Sequence, residues 1–133
     1  LSGRPHDEIL AAMQTIDVLV DQLISGSFGL TAVEAMASGC PVICYLHDGV
    51  AVAEREACPV IEANPDTIKQ VLHQLILDRA RLSDAGAAGP HYVRRNYSVE
   101  ALGKHLADLY LATADLPIPL KARVAESARL LNS

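Results

Sequence analysis

Tryptophan is absent, phenylalanine occurs once, and no apolar run in the 133 residues approaches a membrane span. Half of the residues are nonetheless hydrophobic, mostly Ala, Leu and Val, which fits a soluble α/β or helical protein and excludes a disordered one. Basic residues are also few. Eleven Lys and Arg against sixteen Asp and Glu leave a formal charge of −5, which argues against broad capture of nucleic acid or anionic lipid and leaves room only for a local anion site. Cysteine is scarce and odd in number. Cys40, Cys44 and Cys58 lie beside strand-like apolar segments without metal-ligand spacing, so they are expected to be free thiols serving as small core hydrophobes in a reducing compartment. The first residues, Leu1 to Asp7, hold no apolar secretory core, and a cytoplasmic location is the expectation. No internal repeat, low-complexity segment or initiator Met is present. The length is that of one domain, short for an enzyme that must grip two substrates.

What the sequence does contain is one organised stretch, Gly26 to Tyr45, readable as loop, short helix, turn and buried strand. Gly26 and Gly29 give the loop backbone room to approach a ligand, and Leu30 to Ala37 is a compact helical run ended by Gly39, a residue suited to a left-handed stop. A helix entered from such a loop points free N–H groups and the positive end of its dipole forward, which favours a phosphate. Glu34 is the only ionisable residue of this helix, among Val33, Ala35, Met36 and Ala37. Its carboxylate must reach the rim or have a partner.

Taken in order, the chain alternates helix and strand. Ile9, Leu10 and Met13 define an amphipathic helix over Asp7 to Thr15, followed by a strand over Asp17 to Gln22 whose continuous apolar core, Val18 to Val20, suits a parallel strand covered on both faces. The next strand is Pro41 to Leu46, so residues 17–46 form a βαβ unit. After an irregular segment with a turn at Asp48-Gly49, a third strand is expected at Pro59 to Ala63. Asn64 or Asp66 then caps a helix reaching about Leu77. Further helices are expected from Arg79 to Ala88 and beyond, and from a Ser98 cap to Ala112, with a break at Leu116 to Pro119 and a last helix or tail over Lys121 to Leu131. The expected fold is therefore α/β, a partial Rossmann-like parallel sheet flanked by helices with a helical C-terminus. Three strands are few for a complete doubly wound domain, and the first helix has no strand before it. Residues 1–115 are accordingly expected to be the later part of a nucleotide-binding type of domain, cut from a longer protein, with 116–133 as tail or helix.

The segment from Asp17 to Tyr45 resembles the glycosyltransferase group 1 family, retaining transferases built from two Rossmann-like domains with the active site between them. The resemblance rests on the loop with Phe28-Gly-Leu30 and on the core Glu34-Ala-Met-Ala-x-Gly-x-Pro-Val-Ile43. Asn64-Pro-Asp-Thr-Ile68 and His91-Tyr-Val-Arg-Arg-Asn-Tyr-Ser98 agree with it, so that it covers roughly residues 5–112. It implies a donor domain that binds a nucleotide-diphosphate sugar as substrate, needs no further cofactor or obligatory metal, and works beside an N-terminal acceptor-binding domain. Peripheral membrane association through sequence outside this chain is compatible with it. In the family two glutamates eight positions apart bracket the loop and helix start. The second falls on Glu34, expected to accept hydrogen bonds from both ribose hydroxyls. The first falls on Gly26, where this sequence has no acid. Between them, Ser27, Phe28, Gly29, Leu30 and Thr31 would present backbone N–H groups to the donor phosphates, with the Thr31 hydroxyl as an additional donor. The family also uses an upstream Arg and Lys, whereas Arg4 is the only basic residue ahead of this loop. With Gly26 in the acid position, a non-catalytic nucleotide-binding or interaction module and a nucleotide-sugar epimerase of the same architecture stay open beside a glycosyltransferase. No catalytic residue is assigned.

Other residues point less sharply. The five histidines, His6, His47, His73, His91 and His105, form no metal-ligand spacing, and His73 and His105 lie on amphipathic helices where solvated imidazoles are the rule. Asp21, at the C-terminal end of a strand, is expected to cap or turn rather than meet a ligand. Arg94 and Arg95, beside Tyr92 and Tyr97, are expected to form a solvated helix face. Ser25 and Ser27 lack the elbow and histidine of a hydrolase nucleophile.

Overall fold

In the computed structural model, residues 3–112 are described, and they form two compact units divided after Arg94. The expected break at Leu116 to Pro119 and the segment 116–133 lie outside the described residues.

The first unit is α/β. Helix α1 (His6–Met13) precedes strand β1 (Leu19–Val20), helix α2 (Leu30–Ala37) and strand β2 (Val42–Cys44); β3 (Ile61–Glu62) and α3 (Ile68–Leu77) follow, and α4 (Arg79–Tyr97) runs past its end. All strands are parallel in the order β1-β2-β3, with Leu19 opposite Val42, Val20 opposite Ile43, and Ile43 opposite Ile61. The ladders are shorter than the apolar runs that predict them, but bonding continues past them. Asp21 N–H donates to the Ile43 carbonyl at 2.9 Å, Tyr45 N–H to Gln22 at 2.8 Å, and Ala63 N–H to Cys44 at 3.1 Å. Val20 departs from the expectation of a strand covered on both faces. It is 42% exposed, and among the described residues β1 has a bonded neighbour on one side only.

β2 is the buried centre, and alternation sends Ile43 to one face and Val42 and Cys44 to the other. Ile43 joins Ile61, Ala63, Leu75 and Leu82 in one cluster, roofed by the half-buried Ile68, Val71 and Leu72 of α3. α2 lies against β2 and α1 against α2. Ala32, Ala35 and Met36 are essentially unexposed. Gly39 ends α2 at φ +80, as its sequence position predicts. The N-cap of α3 is Thr67 and not Asn64 or Asp66 as expected; Asn64 instead closes the turn ahead of it, its Oδ1 accepting from the Asp66 and Thr67 amides, both at 3.0 Å.

α4 approaches α2 backbone to backbone through two glycines that the sequence did not single out. A Cβ on Gly89 would lie 2.6 Å from the Met36 carbonyl oxygen, and one on Gly86 would lie 2.7 Å from that of Gly39. Tyr92, one turn on, is buried and donates its hydroxyl to the Ala53 carbonyl, so it belongs to the core and not to the solvated face expected around Arg94 and Arg95, which are exposed. In the second unit α5 (Val99–Ala112) is capped as expected by Ser98, whose Oγ accepts from Ala101 N–H at 3.1 Å. Among the described residues no helix is long and apolar enough to cross a membrane.

The three thiols are free, and Cys40 and Cys44 are buried. Burial pushes the Cys44 thiol up from 9.0 to about 11, with the charge of Asp21 adding to it and the hydrogen bond to Gln22 opposing.

Two outcomes follow from this packing. Gly→Ala in an open helix interior stabilises by roughly 0.5–1 kcal/mol. Gly89→Ala is expected instead to destabilise by about 1–3 kcal/mol in urea unfolding, because the added methyl meets Met36 backbone. A gain in stability would contradict the close approach. Cys44 is protonated when folded at a pH where the unfolded thiol ionises, so its contribution is fully present below pH 9.0 and is lost as pH rises towards about 11. Unfolding free energy should fall across that window, by on the order of 2 kcal/mol more than in Cys44→Ala.

Candidate functional site

The C-terminal ends of β1 and β2 face the same way, and the chain leaves β1 there into the loop 21–29. Asp21 folds this loop back: its Oδ2 accepts the Gly29 N–H at 3.2 Å. This is the turn role expected of Asp21. Gly29, extended at φ −97 and ψ −173, is the N-cap of α2 and brings no capping side chain. The first helical bond runs from Val33 N–H to the Gly29 carbonyl at 3.3 Å. The amides ahead of it, from Leu30 to Ala32, have no partner inside the helix, and the positive end of the helix dipole adds to their field. No acidic side chain sits in this first turn, and Leu30 and Thr31 are exposed. That end of α2 can take an anion through main chain alone.

Gly26 closes the other side of the loop. It is buried at φ +80, its carbonyl accepts the His47 N–H at 2.8 Å, and a Cβ built on it would lie 2.7 Å from the Cβ of His47. The left-handed backbone and the missing side chain are thus both required here. Ser25 Oγ donates to the Ser27 carbonyl at 3.3 Å, inside the loop.

Glu34 lies one turn into α2, its side chain 25% exposed and its Oε1 3.7 Å from Nε2 of His6 at the start of α1. The carboxylate therefore reaches the rim and has a neighbour there, the two outcomes the sequence offered as alternatives. On the β2 side, His47 Nδ1 accepts the Gly49 N–H at 2.9 Å, which fixes the imidazole on the expected turn at Asp48-Gly49. Arg55, from a single 3-10 turn at Arg55–Ala57, braces this corner from behind. Its guanidinium donates to the carbonyls of Leu46 and His47, both at 3.1 Å, and pairs with Glu62 at 3.2 Å.

Gly26, Ser27, Phe28, Gly29, Leu30, Thr31 and Glu34 thus fall on one continuous arc at the C-terminal edge of the sheet, where open α/β sheets gather ligands. His6 and His47, set aside in the sequence with the other histidines, join them, as does Arg55, which no motif marked. The same edge rule that drew attention to Asp21 would have pointed to His47, just past the end of β2. Arg55 carries no local signal, since its partners are set by how the irregular segment folds back. Asp17 stands elsewhere: it pairs with Arg79 at 2.8 Å beside a cavity of about 310 Å³ that also touches Pro41, ahead of β2. His73, His91 and His105 are exposed.

The family model described as glycosyl transferases group 1 matches residues 1–92. A D-inositol 3-phosphate glycosyltransferase of Corynebacterium urealyticum is 34% identical over 121 residues, which is 88% of this chain and 28% of that protein. A protein of the same description from Streptomyces bingchenggensis is 33% identical over 79% of this chain and 24% of its own length. A 2-deoxystreptamine glucosyltransferase of Streptomyces kanamyceticus is 30% identical over 81% of this chain and 28% of its own length. The chain thus spans between a quarter and a third of the length of the corynebacterial relatives it matches. No solved structure matches it significantly.

The two loop glycines should respond differently to alanine. Gly26→Ala combines a left-handed backbone with a blocked Cβ and is expected to cost about 2 kcal/mol or more in urea unfolding. Gly29→Ala, with a negative φ and nothing within 4 Å of its Cβ, should cost no more than about 1 kcal/mol. Equal effects would contradict the packing of His47 on Gly26.

Proposed function

The chain belongs to the glycosyl transferases group 1 family, and from that membership we propose that it is the donor-binding part of a retaining glycosyltransferase. The donor, a nucleotide-diphosphate sugar, enters as substrate. Its diphosphate lies against the amides of the Gly26 to Thr31 loop and helix start, and its ribose hydroxyls donate to Glu34. The observation that carries this reading is the uncapped start of α2 with a partly exposed carboxylate one turn behind it. One turn is ~5 Å along the axis, so the anion site and the carboxylate lie close enough for adjoining parts of one nucleotide.

In this reading the loop acts in both binding and catalysis. As the bond from sugar to phosphate breaks, negative charge grows on the leaving diphosphate, and N–H groups already aimed at it stabilise that charge without reorganisation. Their aim is set by Asp21 holding Gly29 and by Gly26 bonded to His47. The N-terminal acceptor domain and the basic residues that assist the diphosphate belong to sequence outside this chain. The names of the relatives make inositol 3-phosphate the first acceptor to assay with the intact protein.

Calorimetry of the intact protein with UDP and GDP tests the reading. Glu34→Ala should weaken the preferred diphosphate by about tenfold or more, the size expected for losing hydrogen bonds to a charged acceptor. Equal affinity in the two proteins would remove Glu34 from the ribose.

A further inference from the structure

We propose that His47 is the residue that reads the transferred sugar, its imidazole occupying the sector that a side chain at position 26 would otherwise fill. The inference rests on the donor-site reading above and adds to it a residue that neither loop nor helix supplies. A Cβ at position 26 would meet the His47 Cβ at 2.7 Å, so the two positions compete for one volume, and this chain fills it from the segment just past β2. The backbone is locked in step: His47 N–H donates to the Gly26 carbonyl at 2.8 Å, and Arg55 holds the His47 carbonyl at 3.1 Å.

The ring is fixed as well as the backbone. Nδ1 accepts the Gly49 N–H at 2.9 Å, which places the proton of the neutral imidazole on Nε2 and leaves that N–H as a donor on an exposed side chain. Along the chain, Gly26 with its contact to His47 comes first, the amides of the α2 start follow, and Glu34 lies one turn beyond them. A nucleotide sugar has the same linear order of sugar, diphosphate and ribose. The Nε2–H therefore donates to a hydroxyl oxygen of the sugar. A neutral donor at this place also explains how the site works without an acid at position 26: it supplies polarity where Gly26 supplies none.

Two substitutions separate sugar contact from mere support of the turn. In His47→Asn the amide oxygen replaces Nδ1 as acceptor for the Gly49 N–H, a common local bond of Asn, but nothing replaces Nε2. In His47→Gln the amide nitrogen stands in for Nε2 and the turn acceptor is lost. Affinities of the intact protein would be measured for UDP, UDP-glucose, GDP and GDP-mannose. The expected result is that His47→Asn weakens the bound nucleotide sugar by about tenfold relative to its own diphosphate, while His47→Gln retains most of the difference. An unchanged His47→Asn, or an equal loss for sugar and diphosphate, overturns the proposal while leaving diphosphate binding and Glu34 intact. Failure of the wild-type protein to bind any of the four ligands overturns the donor-site reading and this inference together.

Discussion

Strand β2 has no exposed face, and that constraint organises the first unit. Val42, Ile43 and Cys44 are at most 1% exposed, so their polar backbone must be paired on both sides and their side chains covered above and below. Two parallel neighbours meet the first demand, and helices meet the second, with α3 and α4 over Ile43 and α2 lying against the strand. Because α2 leads directly into β2 through Gly39, its start is carried to the opposite edge, beside the ends of the strands. The two glycines of α4 then clamp the far end of α2, so the helix is gripped where it ends and open where it begins.

The first turn of α2 carries no acidic side chain of its own, and the carboxylate at its start is engaged. Asp21 takes the Gly29 amide, Gly26 takes the His47 amide, and the first-turn amides of α2 are left without helical partners. This division lets one short loop be rigid and still receptive, since the bonds that fix it are not those offered to a ligand. Arg55 extends the rigidity across β2 to Glu62 on β3, which ties the His47 turn to the sheet. In the proposed reading the donor therefore meets a surface whose donors are oriented before it arrives, the condition under which main-chain amides stabilise a leaving diphosphate.

Much of this was legible in the sequence, and the remainder was hidden for definite reasons. The bounds of α2, the stop at Gly39, the Ser98 cap and the parallel direction of the strands follow from local patterns, since helix ends and buried strands leave marks within a few residues. The loop from Gly26 to Thr31 and Glu34 were readable as one stretch because they are contiguous. What each of its neighbours does was not readable. Gly86 and Gly89 look like helix-weakening residues until α2 is seen against them, and Tyr92 looks like part of a polar face until its hydroxyl is found on Ala53. His6, His47 and Arg55 reach the arc only through tertiary folding, and what covers Val20 is likewise set by its neighbours and not by the strand itself. The departure at Gly26 was visible as a missing acid; that a side chain there would meet His47 required coordinates.

The central claim is that the α2 start holds the diphosphate of a nucleotide through its main chain. Amide hydrogen exchange of the intact protein, resolved over residues 26–34 and followed with UDP or GDP against uridine or guanosine, addresses it directly. Diphosphates should slow exchange at Leu30, Thr31 and Ala32, whose amides have no helical partner, well beyond the parent nucleosides. Protection confined to other regions, or the same protection from nucleoside as from diphosphate, would contradict it.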